Sequence, residues 1–153
     1  MEEVHVKFYR MDADVKLPTR AHEHDACWDI YSNSGALIQG SEKRIIPTGL
    51  KVSIPPGWEL QIRPRSGLAA RQGISVLNSP GTIDSGYLGE IRIILYKSPH
   101  RVNTNHVTQI KKGDRIAQMA LKPVYNMRII EVFEEDLLGE TTRGKGGFGS
   151  TGN

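Results

Sequence analysis

Apolar and polar residues alternate along this chain in short runs, not at helical spacing. VHVKF (4–8), LKVSI (50–54), WELQIRP (58–64), EIRIILY (90–96), RIAQMAL (115–121) and RIIEVF (128–133) each alternate or run apolar over the length of a strand. Turn signals separate them: Pro55-Pro56-Gly57, Ser79-Pro80-Gly81, Ser85-Gly86 and Lys112-Gly113-Asp114. No long window keeps a helical period, and LAARQG (68–73) has room for one or two helical turns. Many short strands with Gly and Pro turns predict an all-β sandwich, jelly roll or closed barrel, without internal repeats. The pattern fades near Gly139, so the expected organisation is a β domain over 1–138 and a flexible, Gly-rich arm over 139–153.

Four stretches are too polar for plain strands and too specific for plain turns. In RPRSGLAARQG, Arg65-Ser66-Gly67 follows a strand and opens a possible helical turn, where N–H groups, a hydroxyl and a guanidinium can converge on an anion. The alternative is a surface turn with a solvated arginine. In LNSPGTIDSGYLGEI, Gly81, Gly86 and Gly89 let backbone approach a ligand, and Asp84 is placed to act as a general base if it reaches a water. The same Asp84-Ser85-Gly86 also reads as ordinary hairpin turn chemistry. In KKGDRIAQM, Gln118 interrupts an apolar strand, on the solvent face or toward a ligand. In DACWDIYS, Asp25 and Asp29 flank Cys27 and Trp28, but the five histidines are not spaced with Cys27 as a zinc site requires, and His22 and His24 read as surface loop residues.

The tail, GETTRGKGGFGSTGN, matches a Walker A loop until Gly146 takes the place of the magnesium-binding hydroxyl. Only seven residues follow Gly146 and three are Gly, so no helix can open there and the P-loop reading fails. What is left is either a disordered tail or an arm that orders on a ligand, with Arg143, Lys145, Ser150 and Thr151 as phosphate donors and Phe148 lacking a sequence neighbour to pack on.

Length and composition narrow the partners. A chain of 153 residues is expected to form one domain burying roughly two thirds of its extended surface. Cys27 is the sole cysteine, and there is neither a signal-peptide pattern nor a long apolar run, which predicts an intracellular, soluble, cytoplasmic protein with no membrane partner. The net charge of +3, from 20 basic and 17 acidic residues without blocks, suits an anionic ligand but is too weak for duplex DNA. Two basic residues in the arm give too shallow a salt dependence for stable nucleic-acid binding.

Taken in order, DACWDIYS, PRSGLA, NSPGTIDSGYLGEI, GDRIAQ and RGKGGFGSTG resemble the five motifs of the trimeric deoxyuridine triphosphatases (dUTPases), from about Asp25 to Gly152. The resemblance implies a β jelly roll of the β-clip type, a homotrimer, and Mg²⁺-dependent hydrolysis of dUTP to dUMP and pyrophosphate, which limits uracil in DNA and supplies dUMP. It implies that Asp84 activates the attacking water. Arg65, Ser66, Gly67 and Gln118 would hold the α- and β-phosphates, and Arg143, Ser150 and Thr151 the γ-phosphate. Asn78, Gly81, Thr82 and Ile83 would read the uracil edge, with Tyr87 pressing where a ribose carries its 2′-hydroxyl. Phe148 would stack on the base from the arm of a neighbouring subunit. Magnesium would be held by phosphate oxygens and waters with no direct protein ligand, and Asp29 would reach those waters or brace the trimer.

One departure stands out: Cys27 occupies a position where the family usually has Gly. At positive φ a cysteine there would cost of order 1 kcal/mol or more. Two other readings compete with hydrolysis. A dCTP deaminase on the same fold would use Glu90 as its catalytic carboxylate, and a catalytically silent nucleotide sensor would keep binding without turnover.

Overall fold

The computed structural model describes residues 3–99 and 107–147. Ten strands form three antiparallel sheets. The first sheet runs in the order β1 (Lys7–Arg10), β4 (Lys43–Ser53), β8 (Glu90–Lys97), β6 (Ile74–Val76). The second is β2 (Trp28–Tyr31), β10 (Arg115–Pro123), β5 (Trp58–Arg63), β7 (Gly81–Ile83), and β3 (Ala36–Ile38) pairs β9 (Thr108–Ile110) in a two-stranded third. Such a stack of short antiparallel strands belongs to the all-β class that the alternation predicts and is the jelly roll that the resemblance implies.

The alternation decides which face is buried. Along β8, Ile91, Ile93 and Leu95 are buried while Arg92 is exposed, and Leu60 and Ile62 do the same on β5. These side chains join Ile46 and Val52 of β4, Ile30 of β2, Met119 of β10 and Ile38 of β3 in one continuous cluster between the sheets. β4 carries a bulge between Pro47 and Lys51, where Pro47 has no N–H to give the ladder. The Thr48 hydroxyl donates to the Ile91 carbonyl at 2.6 Å, and the Gly49 N–H donates to Glu90 Oε1 at 2.9 Å. Glu90 is thereby part of how two strands stay together across an irregularity.

Several strands depart from the sequence reading. β1 starts at Lys7, β4 begins seven residues before LKVSI, and the short β2, β3, β6, β7 and β9 carry too little alternation to announce themselves. The expected helical turn is α1 (Ser66–Gln72), closed by Gly73 in the left-handed region with its N–H on the Ala69 carbonyl. The predicted strand RIIEVF does not form: from Val124 the chain leaves the sheets, and Tyr125, Met127, Ile129, Ile130 and Phe133 are exposed, Phe133 at 87%. A strand needs a ladder partner, and within one chain this segment has none. β7 and β8 lie in different sheets, so Asp84-Ser85-Gly86 crosses between sheets instead of closing a hairpin. Among the described residues no helix is long and apolar enough to cross a membrane.

One charge lies inside. Lys97, at the end of β8, is 1% exposed and donates to the Thr108 hydroxyl at 2.8 Å. Burial disfavours the ammonium and holds its pKa below the ordinary lysine value. Below that lowered pKa the cost of burying the charge is fully present, and it is relieved as pH rises and the amine becomes neutral in the fold. Thr108→Val removes an acceptor from a buried cation and should cost about 1.5–3 kcal/mol near neutral pH. Urea unfolding at fixed protein concentration is expected to show that deficit shrinking as pH rises toward the free lysine pKa.

Candidate active site

Strand β10 builds one wall of the candidate site because it pairs on both sides. Gln118 lies opposite Asp29 of β2 and opposite Arg63 of β5, which puts the end of β5 and the start of α1 beside Asp29. A bulge between Arg115 and Ala117 adds one residue to β10 and turns Arg115 to the same face as Gln118 and Asp29. The backbone of Asp29 is also fixed from its other edge, exchanging hydrogen bonds with Thr19 at 2.7 and 3.2 Å.

The result is a cavity of about 410 Å³ lined by Asp25, Cys27, Asp29, Arg65, Ser66, Gly67, Arg115 and Gln118, with Ala21 and Ala26 at its rim. Arg65 Nε donates to Asp29 Oδ1 at 2.8 Å, and Arg115 Nη1 donates to Asp29 Oδ2 at 3.2 Å. Gln118 Nε2 donates to the Pro64 carbonyl at 2.8 Å, so Gln118 faces the cavity and ties down the turn into α1. The Ser66 and Gly67 N–H groups open α1 and have no intrahelical acceptor. The two guanidiniums are matched by the carboxylates of Asp25 and Asp29, so what suits an oxyanion is the set of N–H donors that those carboxylates leave uncommitted. Four of the residues that the sequence singled out for phosphate, Arg65, Ser66, Gly67 and Gln118, therefore meet in one place. Arg115 stood within GDRIAQ unremarked; its signal was a cation at the mouth of a strand, which only the bulge aims inward.

Cys27 is half-buried in the same wall. Among the described residues Ser41 is the only non-glycine at positive φ, so Cys27 carries no backbone strain and the turn does not need glycine for its dihedral. The opening motif is therefore compatible with a cysteine side chain at this point.

The base and sugar candidates collect elsewhere. Asn78 stands before a cis Ser79–Pro80 peptide, and Gly81, Thr82 and Ile83 form β7 directly after it. Asp84 begins a turn closed by the Tyr87 N–H on its carbonyl at 3.0 Å, and it is exposed, with no side-chain partner among the described residues. The Tyr87 hydroxyl donates to the Glu90 carbonyl at 2.9 Å, and its ring fills the space where a Cβ on Gly89 would stand, 2.5 Å from that hydroxyl. The ladder sets the distance between the two groups. Gly81 faces Ile62 and Ile83 faces Leu60, so Asp84 continues toward Glu59 while the cavity lies beyond Arg63, roughly 13 Å or more along β5. One chain does not bring Asp84 to Arg65.

Arg143 donates to the Gly146 carbonyl at 2.9 Å in an exposed turn of the arm. Phe148, Ser150 and Thr151 lie outside the described residues. Glu90, the deaminase candidate, has Oε1 on the Gly49 N–H and Oε2 on Arg92 Nε at 2.9 Å, which leaves it structurally employed. Among the described residues no three His, Cys, Asp or Glu side chains converge on a point where a metal ion would sit.

The chain is similar to known proteins in sequence and in fold. The dUTPase family model matches residues 13–152. The chain is 45% identical over 152 residues to the deoxyuridine 5'-triphosphate nucleotidohydrolase of Clostridium tetani, covering 99% of each. It is 48% identical over 144 residues to that of Clostridium kluyveri, covering 94% of each. Its fold is similar to that of the Staphylococcus bacteriophage 80alpha dUTPase, solved as a point mutant with dUpNHpp, with TM-score 0.87 and 25% identity over 97% of this chain and 99% of that one.

An anion site of this make-up should respond to loss of one guanidinium. Arg65→Met is expected to weaken inorganic pyrophosphate binding by about ten- to a hundredfold, the worth of a charge-assisted hydrogen bond, as read by calorimetry at low salt.

Proposed function

The chain belongs to the dUTPase family, and we propose that it hydrolyses dUTP to dUMP and pyrophosphate by attack of water on the α-phosphorus. The observation that carries this reading is the donor-rich cavity at the β5–α1 junction, where Arg65, Ser66, Gly67, Gln118 and Arg115 offer donors to a polyphosphate. The substrate is taken as Mg·dUTP, with the ion carried on the phosphates. The metal offsets phosphate charge, and the protein's donors hold the chain in line for displacement.

In this proposal Asp84 accepts the proton of the attacking water. The new oxygen–phosphorus bond forms as the bond between the α-phosphorus and its bridging oxygen breaks, and pyrophosphate leaves with that oxygen. Exposure of Asp84 in the isolated chain leaves it open to a substrate delivered from outside. Asn78 and the backbone of Gly81 to Ile83 read the uracil edge, where cytosine would set donor against donor. A mismatch of that kind is worth up to ~10⁴ in rate. Tyr87 excludes the 2′-hydroxyl, and the arm closes with Arg143, Ser150 and Thr151 on the γ-phosphate and Phe148 on the base.

Two features support shared sites between copies, and the family resemblance makes the assembly a homotrimer. Asp84 and the cavity are too far apart within a chain to reach one phosphate, so each site takes them from different copies. The exposed apolar segment from Val124 to Leu138 is also far larger than a monomer would leave in water, and a second copy is its natural cover. In this reading the reaction would limit uracil in DNA and supply dUMP.

The primary test is pyrophosphate release from dUTP, dCTP, dTTP and UTP, each with Mg²⁺ and with chelator, with ammonia measured from dCTP. Release from dUTP alone and its loss on chelation are expected; ammonia from dCTP would move the protein to deamination, and silence to a binding role. Asp84→Asn should keep dUTP binding and lower turnover by about 10²- to 10⁴-fold. Mixing Asp84→Asn with Arg65→Met chains under subunit exchange should restore roughly a quarter of wild-type sites, the share that draws both intact halves from a random mixture. No recovery would put both groups in one chain. Gly89→Ala must displace the Tyr87 ring and should raise UTP turnover relative to dUTP roughly tenfold or more, read from kcat/KM for each nucleotide.

A further inference from the structure

We propose that Asp29 is a positioning residue whose carboxylate sets the spacing and angle of the Arg65 and Arg115 guanidiniums toward the polyphosphate. This rests on the dUTP reading above. Both carboxylate oxygens are taken: Oδ1 by Arg65 Nε at 2.8 Å and Oδ2 by Arg115 Nη1 at 3.2 Å. Arg65 Nη1 also reaches the backbone carbonyl of Arg115 at 3.4 Å, which ties Arg65 to the end of β10 as well as to Asp29. Arg65 Nη2 and Arg115 Nε and Nη2 keep donors for a ligand among the described residues.

The surroundings show that this bridge is built. Asp29 sits on the central wall with its backbone bonded on both edges, its side chain is only 15% exposed, and Arg115 faces it because of the β10 bulge. A guanidinium on a long side chain has many rotamers, and a fixed carboxylate selects one; fixing two of them on one anchor turns loose charge into a preorganised pair. The carboxylate achieves this while cancelling one of the two positive charges. Charge alone therefore predicts that removing it tightens polyphosphate binding, whereas positioning predicts that the reaction slows.

That opposition makes the test. Asp29→Asn is nearly isosteric and is expected to leave KM for dUTP and the calorimetric affinity for inorganic triphosphate unchanged or improved, while kcat falls ten- to a hundredfold. In an Arg65→Met/Arg115→Met background the same substitution should have no further effect on kcat, because its action passes through the arginines. The Mg²⁺ concentration giving half-maximal rate should not move. A kcat within twofold of wild type would overturn the proposal, as would an undiminished effect in the double-arginine background or a large shift in the Mg²⁺ midpoint, which would place Asp29 on the waters around the ion. If Asp29→Asn does not fold, Asp29→Glu displaces the anchor by one methylene, and a wild-type kcat in that variant would overturn the idea. Absence of dUTP turnover in the wild-type protein would instead defeat the functional reading itself.

Discussion

Strand β10 is hydrogen-bonded on both edges, and the site depends on its register. A slip of one residue against β2 or β5 would send Gln118 into the core and bring Ile116 or Met119 to the cavity, because neighbouring side chains on a strand point to opposite faces. Burial of Ala117 and Met119 on the inner face makes such a slip costly. The polar residues are thus held in place by the apolar ones between them. The bulge at Arg115 to Ala117 is the single break in this rule, and it adds a second cation to the face that Gln118 and Asp29 already occupy.

The same ladder separates the chemistry. β7 follows β5 away from α1, so the groups proposed to read the base and activate water are carried to the far end of the sheet from the phosphate donors. A chain folded in this way holds two half-sites. In the proposed assembly, association of copies would complete each of them, and the exposed apolar stretch after Pro123 would supply a surface for it. Fold, assembly and activity are then linked: an isolated chain would bind polyphosphate weakly and hydrolyse it poorly.

Structural employment also distinguishes carboxylates that look alike in sequence. Glu90 spans a bulge in β4, Asp29 braces two arginines, Asp25 accepts the His22 N–H at 2.9 Å, and Asp84 alone among these stands exposed without a partner. A base must be free to take a proton from water, and a carboxylate whose oxygens are already committed to N–H donors is a poor one. The preference for hydrolysis over deamination rests on this contrast as well as on motif order.

Local sequence determined a good deal. The alternation in EIRIILY and WELQIRP reports β8 and β5 because burial of every second residue leaves its period in the chain, and RSGLAARQG reports α1 through its closing Gly73. The lining of the cavity was partly legible because Arg65, Ser66, Gly67 and Gln118 break apolar patterns that would otherwise exclude them. Tertiary structure decided the rest. RIIEVF has strand composition but no partner within the chain, and a ladder requires one. Arg115 became a site residue through a bulge, Asp29 acquired its role from two arginines distant in sequence, and the gap between Asp84 and Arg65 came from strand register. Each is a relation between segments, set by which ladders form and how they are packed, and no local pattern of side chains encodes it.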